Sequence, residues 1–381
     1  MCLSMKRLLS YIFILLILLS IASCSSKKEE NSRGSTWNPD NSIADDPWMI
    51  QGTGTEGALS VSSARIALNP LTGQSNMPED RVGKRPIAVS VNNIVTALPQ
   101  YGTFAADYIL EIETEGGITR MMCLYSDTRE IEKIGSLRSL RDQFIEALYP
   151  IDPLIVHFGT SVYADAILLR YNLRMLDAMI ITPACWTDMN RKSVGYASEH
   201  TKFTGGSAIE KGIEVSKVVT ETKSTDLAFN FIDEKAPKRV PDEGSAAAVH
   251  YYFFNSNSYS YDGDFRYNSA TGKYLKWQHD KEHMDAACDK QLEFDNVIVL
   301  FANIDLIPGQ DKGLVKVDYD KGGTGYYFTG GHYETFRWEK NDFMSNFRFI
   351  GNDGNDIEIN VGKTHMGIIR NSYKDSFDIT A

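Results

Sequence analysis

The sequence predicts an α/β N-terminal domain, a mixed sheet with a βαβ unit and a hairpin, followed by a β-rich, mainly antiparallel C-terminal domain. Three observations carry the prediction. Leu154–Phe158, Gly159-Thr160-Ser161, Val162–Tyr171 and Asp177–Ile181 read as strand, tight turn, helix and strand, the pattern of two parallel strands joined by a crossover. Alternating runs at Tyr108–Glu113 and Ile118–Tyr125 flank Gly116-Gly117, a hairpin pattern. Beyond Asp233–Ser245, short apolar runs recur between Gly, Asn and Asp turns.

The chain opens with an export segment. Lys6 and Arg7 precede the apolar core Tyr11–Leu19, which is too short to span a bilayer and has the layout of a secretory signal. It runs into Ile21-Ala22-Ser23-Cys24, the form of a bacterial lipobox, in which the Cys24 thiol is diacylated and residues 1–23 are removed. The expected location is therefore the extracytoplasmic face of the bacterial membrane, with the membrane itself a partner through acylated Cys24. Residues 24–63 are rich in Ser, Gly, Asn and acids and poor in apolar groups, so they are expected to form a disordered tether. Its reach is roughly 35 Å. Loss of residues 1–23, which hold two bases and no acid, takes the formal charge from −11 to −13. That excludes nucleic acid as an expected partner. The cysteines that remain unacylated after processing are Cys123, Cys185 and Cys288, with no CxxC pair. Cys123 reads as a buried thiol, and a Cys123–Cys185 bridge stays open.

The α/β domain is expected over 64–234. Asn69–Gly73 is turn chemistry, and Arg85-Pro86 leads into the apolar strand Ile87–Val91. The hairpin follows, with Tyr108, Leu110 and Ile112 on one face and Ile109, Glu111 and Glu113 on the other. Leu137, Leu140, Phe144 and Leu148 recur at helical spacing and predict a helix over Ser136–Leu148 capped by Ser136. The βαβ unit completes the domain. Residues 235–245, with Pro237 and Pro241, form the expected linker, and 246–381 the second domain. Strands are expected there at Ala247–Asn255, Asn296–Ala302, Leu314–Tyr319, Gly325–Phe328, Tyr333–Glu339, Phe347–Ile350, Ile357–Val361 and His365–Arg370, as a barrel or sandwich. The aromatic density between Tyr251 and Tyr267 reads first as cross-strand packing and second as a sugar-stacking face.

The candidate ligand site gathers Glu115, Arg120, Arg138, Arg141, His157, Thr160 and Ser161. Two helix starts, at Ser136 and Thr160-Ser161, would offer free N–H groups to an anion, and two arginines beside the first would strengthen it. The competing reading is an ordinary cap with the arginines satisfied by Glu113, Glu115 or Glu132. His279-Asp280-Lys281-Glu282-His283 matches the inverted zinc-protease pattern H-x-x-E-H, but it is short and lies between β elements. No metal is expected; His283 and Asp285 are the secondary candidates should one bind. There is no G-x-S-x-G elbow, P-loop or dinucleotide fingerprint, so no cofactor is expected.

NPLTG at Asn69, RPIAVSVNN at Arg85, LPQYG at Leu98, ADYILEIETEGGITR at Ala106, KIGSLRSLR at Lys133 and IVHFGTS at Ile155 resemble the YerB-like lipoprotein family. The resemblance continues through HMD at His283, NVIV at Asn296, YYFTGG at Tyr326 and RWEK at Arg337. It implies exported envelope proteins with an α/β N-terminal and a β-rich C-terminal domain, and it carries no catalytic residues with it. The sequence departs from the family pattern at Gly135-Ser136-Leu137 and at Ser198-Glu199-His200. The leading expectation is a non-catalytic binding or accessory protein of the cell envelope, with an envelope protein or wall precursor as partner. The alternative is an envelope hydrolase or transferase acting on glycan or peptide.

Overall fold

Strands from both ends of the sequence enter one twelve-stranded sheet. The first half supplies β1 (Ile87–Asn92), β2 (Tyr108–Glu113), β3 (Thr119–Tyr125), β4 (Leu154–His157) and β5 (Leu176–Asp177). Between them lie α1 (Asp142–Leu148) and α2 (Val162–Arg170). The second half supplies β6 (Ala248–Asn255), β7 (Ser260–Asn268) and β8 (Lys273–Gln278), which lie in a separate sheet, and adds β9 (Asn296–Leu306), β10 (Gly323–Thr329), β11 (His332–Glu339), β12 (Arg348–Gly351) and β13 (Thr364–Arg370) to the large one. The main path of the large sheet is β12-β11-β10-β9-β13-β2-β3-β1-β4-β5. This computed structural model describes residues 68–381; the lipobox cysteine Cys24 and the tether over 24–63 lie outside the described residues.

The last long strand joins the halves. β13 is parallel to both neighbours, so Thr364 stands opposite Asn296 on one side and Tyr108 on the other. Strands in such a position are covered on both faces and need apolar side chains throughout. β1, β2 and β3 are buried along their whole length, and β13 along all but Arg370. One face packs α1 and α2 through Phe144, Leu148 and Ala164 against Leu110, Ile298 and Ile368. The other face packs a second, antiparallel sheet containing β6–β8 through Tyr251, Phe253, Phe265 and Tyr274. Gly367 lets that second layer approach: a Cβ there would stand 2.7 Å from Tyr251 Oη.

The hairpin β2–β3 and the βαβ unit β4–α2–β5 have the expected pairing, antiparallel and parallel respectively. The helix expected from Ser136 begins instead at Asp142. Residues 137–140 are extended: Leu137 bridges Val91, Arg138 N bonds Ser90 O (2.9 Å) and Leu140 N bonds Gly159 O (3.0 Å). Leu137 therefore enters one core and Leu140 the other, opposite faces of an extended segment rather than one face of a helix. The expectation at Ile357–Val361 also fails, since Ile359 makes only a bridge to Phe231. β7 and β8 lie outside the expected strands, and on β8 the polar Lys276 and Gln278 point inward. His279 and Asp280 are the left-handed tip residues (φ 53° and 57°) of the turn that follows β8, with Gln278 opposite Lys281. The H-x-x-E-H stretch is thus a hairpin, and its two histidines do not share a helix face. Cys123, Cys185 and Cys288 are free thiols.

Helix α1 carries a testable electrostatic cost. Burial raises the Glu146 carboxyl, Asp142 beside it adds to the effect, and the result is about 7. The fold then holds this proton more tightly than the unfolded chain does. The contribution is complete below the ordinary value of 4.5 and is lost as pH rises through about 7. Glu146→Gln is expected to raise the urea midpoint at pH 8 and leave it nearly unchanged at pH 4; an equal shift at both would refute this origin.

Candidate functional site

The carboxyl ends of β1, β4 and β5 point the same way, and beyond such ends an open parallel sheet leaves a crevice. Here it is a cleft of about 600 Å³. The extended residues Leu137, Arg138 and Ser139 form one wall, and the loop Phe158–Thr160 after β4 forms the floor. Asp177 with Met179 and Ile180 after β5 forms the second wall, and Glu199 stands at the rim.

The seven candidate residues divide into three groups. Glu115, Arg120 and Arg141 close on one another. Arg120 Nη2 and Arg141 Nη2 both donate to Glu115 Oε1 at 2.8 Å, and Arg141 Nε donates to Oε2 at 2.8 Å. The remaining Arg120 contact goes to the Ser139 carbonyl at 2.6 Å. Burial alone would raise the Glu115 carboxyl, but the two guanidinium groups hold it far below the usual carboxylate range. Burial brings Arg120 down to about 10 against the pull of Glu115. This cluster anchors the hairpin tip to the segment that forms the cleft wall.

Arg138 and Thr160 face the cleft. Arg138 Nη2 lies 3.7 Å from Glu199 Oε1, longer than a hydrogen bond, and its buried Nε has no hydrogen-bond partner. Thr160 Oγ1 donates to Asp165 Oδ1 at 2.5 Å. His157 and Ser161 support from beneath. His157 Nδ1 donates to the Gly159 carbonyl at 2.9 Å, and burial lowers its pKa against the opposing charge of Asp177, leaving a neutral ring. Ser161 Oγ caps α2 by accepting from Ala164 N at 3.1 Å.

Sequence reasoning missed Asp177, the carboxylate of the cleft. Its Oδ1 accepts from Gly159 N (2.9 Å) and Met179 N (3.0 Å), which fixes the group at the end of β5. Its place at the end of the second strand of a βαβ unit was the available signal. Also missed was a polar centre between the two sheets. Glu111 accepts from Asn93 Nδ2 and Thr119 Oγ1, each at 2.8 Å, and from His365 Nε2 at 3.1 Å. Lys276 Nζ lies 3.5 Å from Glu111 Oε2. Burial would raise this carboxyl, but Lys276 and His365 bring it to about 2. His283 contacts Gln100 through Nε2, and Asp285 accepts backbone N–H groups of Gly102 (3.0 Å) and Phe104 (2.8 Å). The two secondary metal candidates are therefore engaged in cross-links to the first half. Among the described residues no group of three or more His, Cys, Asp or Glu is arranged to hold a metal ion.

Two further grooves are less suited to a ligand. One, of about 550 Å³, is crowded with acids around the Arg239–Glu334 pair. The other, of about 750 Å³, lies over loops, and its Arg85 is spent on the carbonyls of Asp152 (3.1 Å), Pro153 (2.9 Å) and Val219 (3.2 Å).

Family models described as the N-terminal and C-terminal domains of a protein of unknown function, DUF3048, match residues 71–219 and 249–366. The chain is 25% identical over 304 residues to a Bacillus subtilis (strain 168) protein provisionally named lipoprotein YerB, covering 79% of this chain and 85% of that protein. The crystal structure of YerB protein from Bacillus subtilis has the same fold, with a TM-score of 0.70 at 22% identity. That match covers 82% of this chain and 99% of the solved one.

Proposed function

From the fact that the chain belongs to the DUF3048 family, we propose that it is a lipid-anchored binding protein of the bacterial envelope. Diacylated Cys24 holds it at the extracytoplasmic face, and the cleft at Arg138 takes a charged group of an envelope ligand or partner. The lipobox ending at Cys24 supports the anchor, as does the lipoprotein name of its Bacillus relative. One observation carries the binding site. Of the three arginines in this region, Arg120 and Arg141 are bonded to Glu115, whereas Arg138 meets only Glu199 at 3.7 Å and faces an open cleft. A guanidinium in that state can form a bidentate contact with an incoming carboxylate or phosphate without breaking a strong internal one. Hydrolysis or transfer would need an acid or base within reach of substrate. His157 is withdrawn from that role, since it is buried and donates to a backbone carbonyl, which leaves the carboxylates Asp177 and Glu199 as the acid–base groups of the cleft.

Crosslinking in intact cells tests the reading. Wild type is expected to capture an envelope component that Arg138→Ala loses while remaining folded and membrane-bound. Recovery of the same background set by both proteins would defeat it.

A further inference from the structure

The cleft holds charges of both signs on walls that are otherwise apolar. Arg138 is weakly satisfied, as described. Asp177 differs from it: two backbone N–H groups hold Oδ1, whereas Oδ2 makes no hydrogen bond among the described residues. The side chain of Asp177 is 20% exposed. A carboxylate oriented in advance and a guanidinium with unused donors thus share one crevice. Phe158, Met179 and Ile180 line the same cleft, and the last two are 62% and 78% exposed. Exposed large apolar side chains beside fixed charges are what a ligand with an apolar body and charged ends would cover.

Resting on the reading of this cleft as a ligand site, we propose that it recognises a zwitterion, a free amino acid or short peptide with an apolar side chain. The ligand carboxylate displaces Glu199 from Arg138, the ammonium sits on Asp177, and the side chain lies against Met179 and Ile180. A purely anionic ligand would leave Asp177 as a repulsive group, and a purely cationic one would meet Arg138 in the same way.

Calorimetric titration of the full chain in detergent with leucine and leucyl-leucine tests this, with N-acetyl-leucine and leucinamide as probes lacking one charge. Leucine or the dipeptide is expected to bind, with each blocked probe at least tenfold weaker. Arg138→Gln and Asp177→Asn are each expected to weaken binding at least tenfold, and Met179→Glu, a change at an exposed position, to abolish it. Retained circular dichroism and melting temperature show that the variants fold. Equal binding of N-acetyl-leucine would overturn the zwitterion while sparing an anion site at Arg138. Absence of binding by all four probes at millimolar concentration would also overturn it. The cellular crosslink to Arg138 would then decide the cleft separately.

Discussion

Lys276→Met is expected to cost roughly 3–5 kcal/mol of unfolding free energy, because it removes one partner of a buried ion pair and leaves the other. Lys276 is fully buried on the inner face of β8, and Glu111 is 1% exposed on β2 in the facing sheet. Without the ammonium, Glu111 keeps His365, Asn93 and Thr119 as donors but loses the neighbouring full positive charge. The double variant Glu111→Leu/Lys276→Met removes both charges and is expected to recover most of the loss, since apolar replacement of a whole buried pair is often neutral. The sign with pH follows from the carboxyl. Its folded value of about 2 lies below the ordinary 4.5, so its stabilisation is present above 4.5 and is lost as pH falls toward 2. Burial keeps His365 below its ordinary 6.5 as well, so acidification below 6.5 already favours the unfolded chain. Urea denaturation of the single and double variants at pH 7.5 measures the effect. A Lys276→Met midpoint equal to wild type would show that the pair does not stabilise the contact between the sheets.

Glu115→Ala is expected to destabilise by about the same amount, 3–5 kcal/mol, for a related reason. The Arg120 side chain is 1% exposed, and removal of Glu115 leaves it only the Ser139 carbonyl. Arg141→Ala should cost clearly less, because Glu115 then still pairs with Arg120 and the Arg141 side chain is 11% exposed. Glu115→Gln should fall between, keeping an acceptor without the charge. Chemical denaturation of the three variants reads this ordering, with Glu115→Ala the most damaging and Arg141→Ala the mildest. If Arg141→Ala were as damaging as Glu115→Ala, the burden would lie on Arg141 and not on the enclosed Arg120. Because Ser139 lines the cleft, the Glu115 variants should also weaken whatever Arg138 binds.

Much of the first half was legible in the residues themselves. The hairpin at Gly116-Gly117 and the βαβ unit around Gly159-Thr160-Ser161 depend on local alternation, turn residues and run length, and these act over a few residues. Leu137 and Leu140 misled because their spacing fits a helix face. Hydrogen bonds from Arg138 to β1 and from Leu140 to the loop after β4 made the segment extended. β8 was hidden because Lys276 and Gln278 point inward, where a strand pattern expects apolar side chains. Their partners lie far away in the chain, Glu111 on a strand of the other sheet and Asn93 just after β1.

By itself, then, the sequence determined the export signal and lipobox cysteine as expectations, the family through its ordered motifs, and the local elements of the α/β half. Tertiary structure alone decided that β13 joins the two halves in one sheet, that Glu115 silences two of three arginines, and that Arg138 and Asp177 line one cleft. The reason is physical. Turns, caps and amphipathic runs are set by neighbours along the chain, whereas strand order and the pairing of buried charges depend on which distant residues pack together. Glu113 illustrates it: its partner is Arg370 on the last long strand, 257 residues away, and no local pattern names that partner.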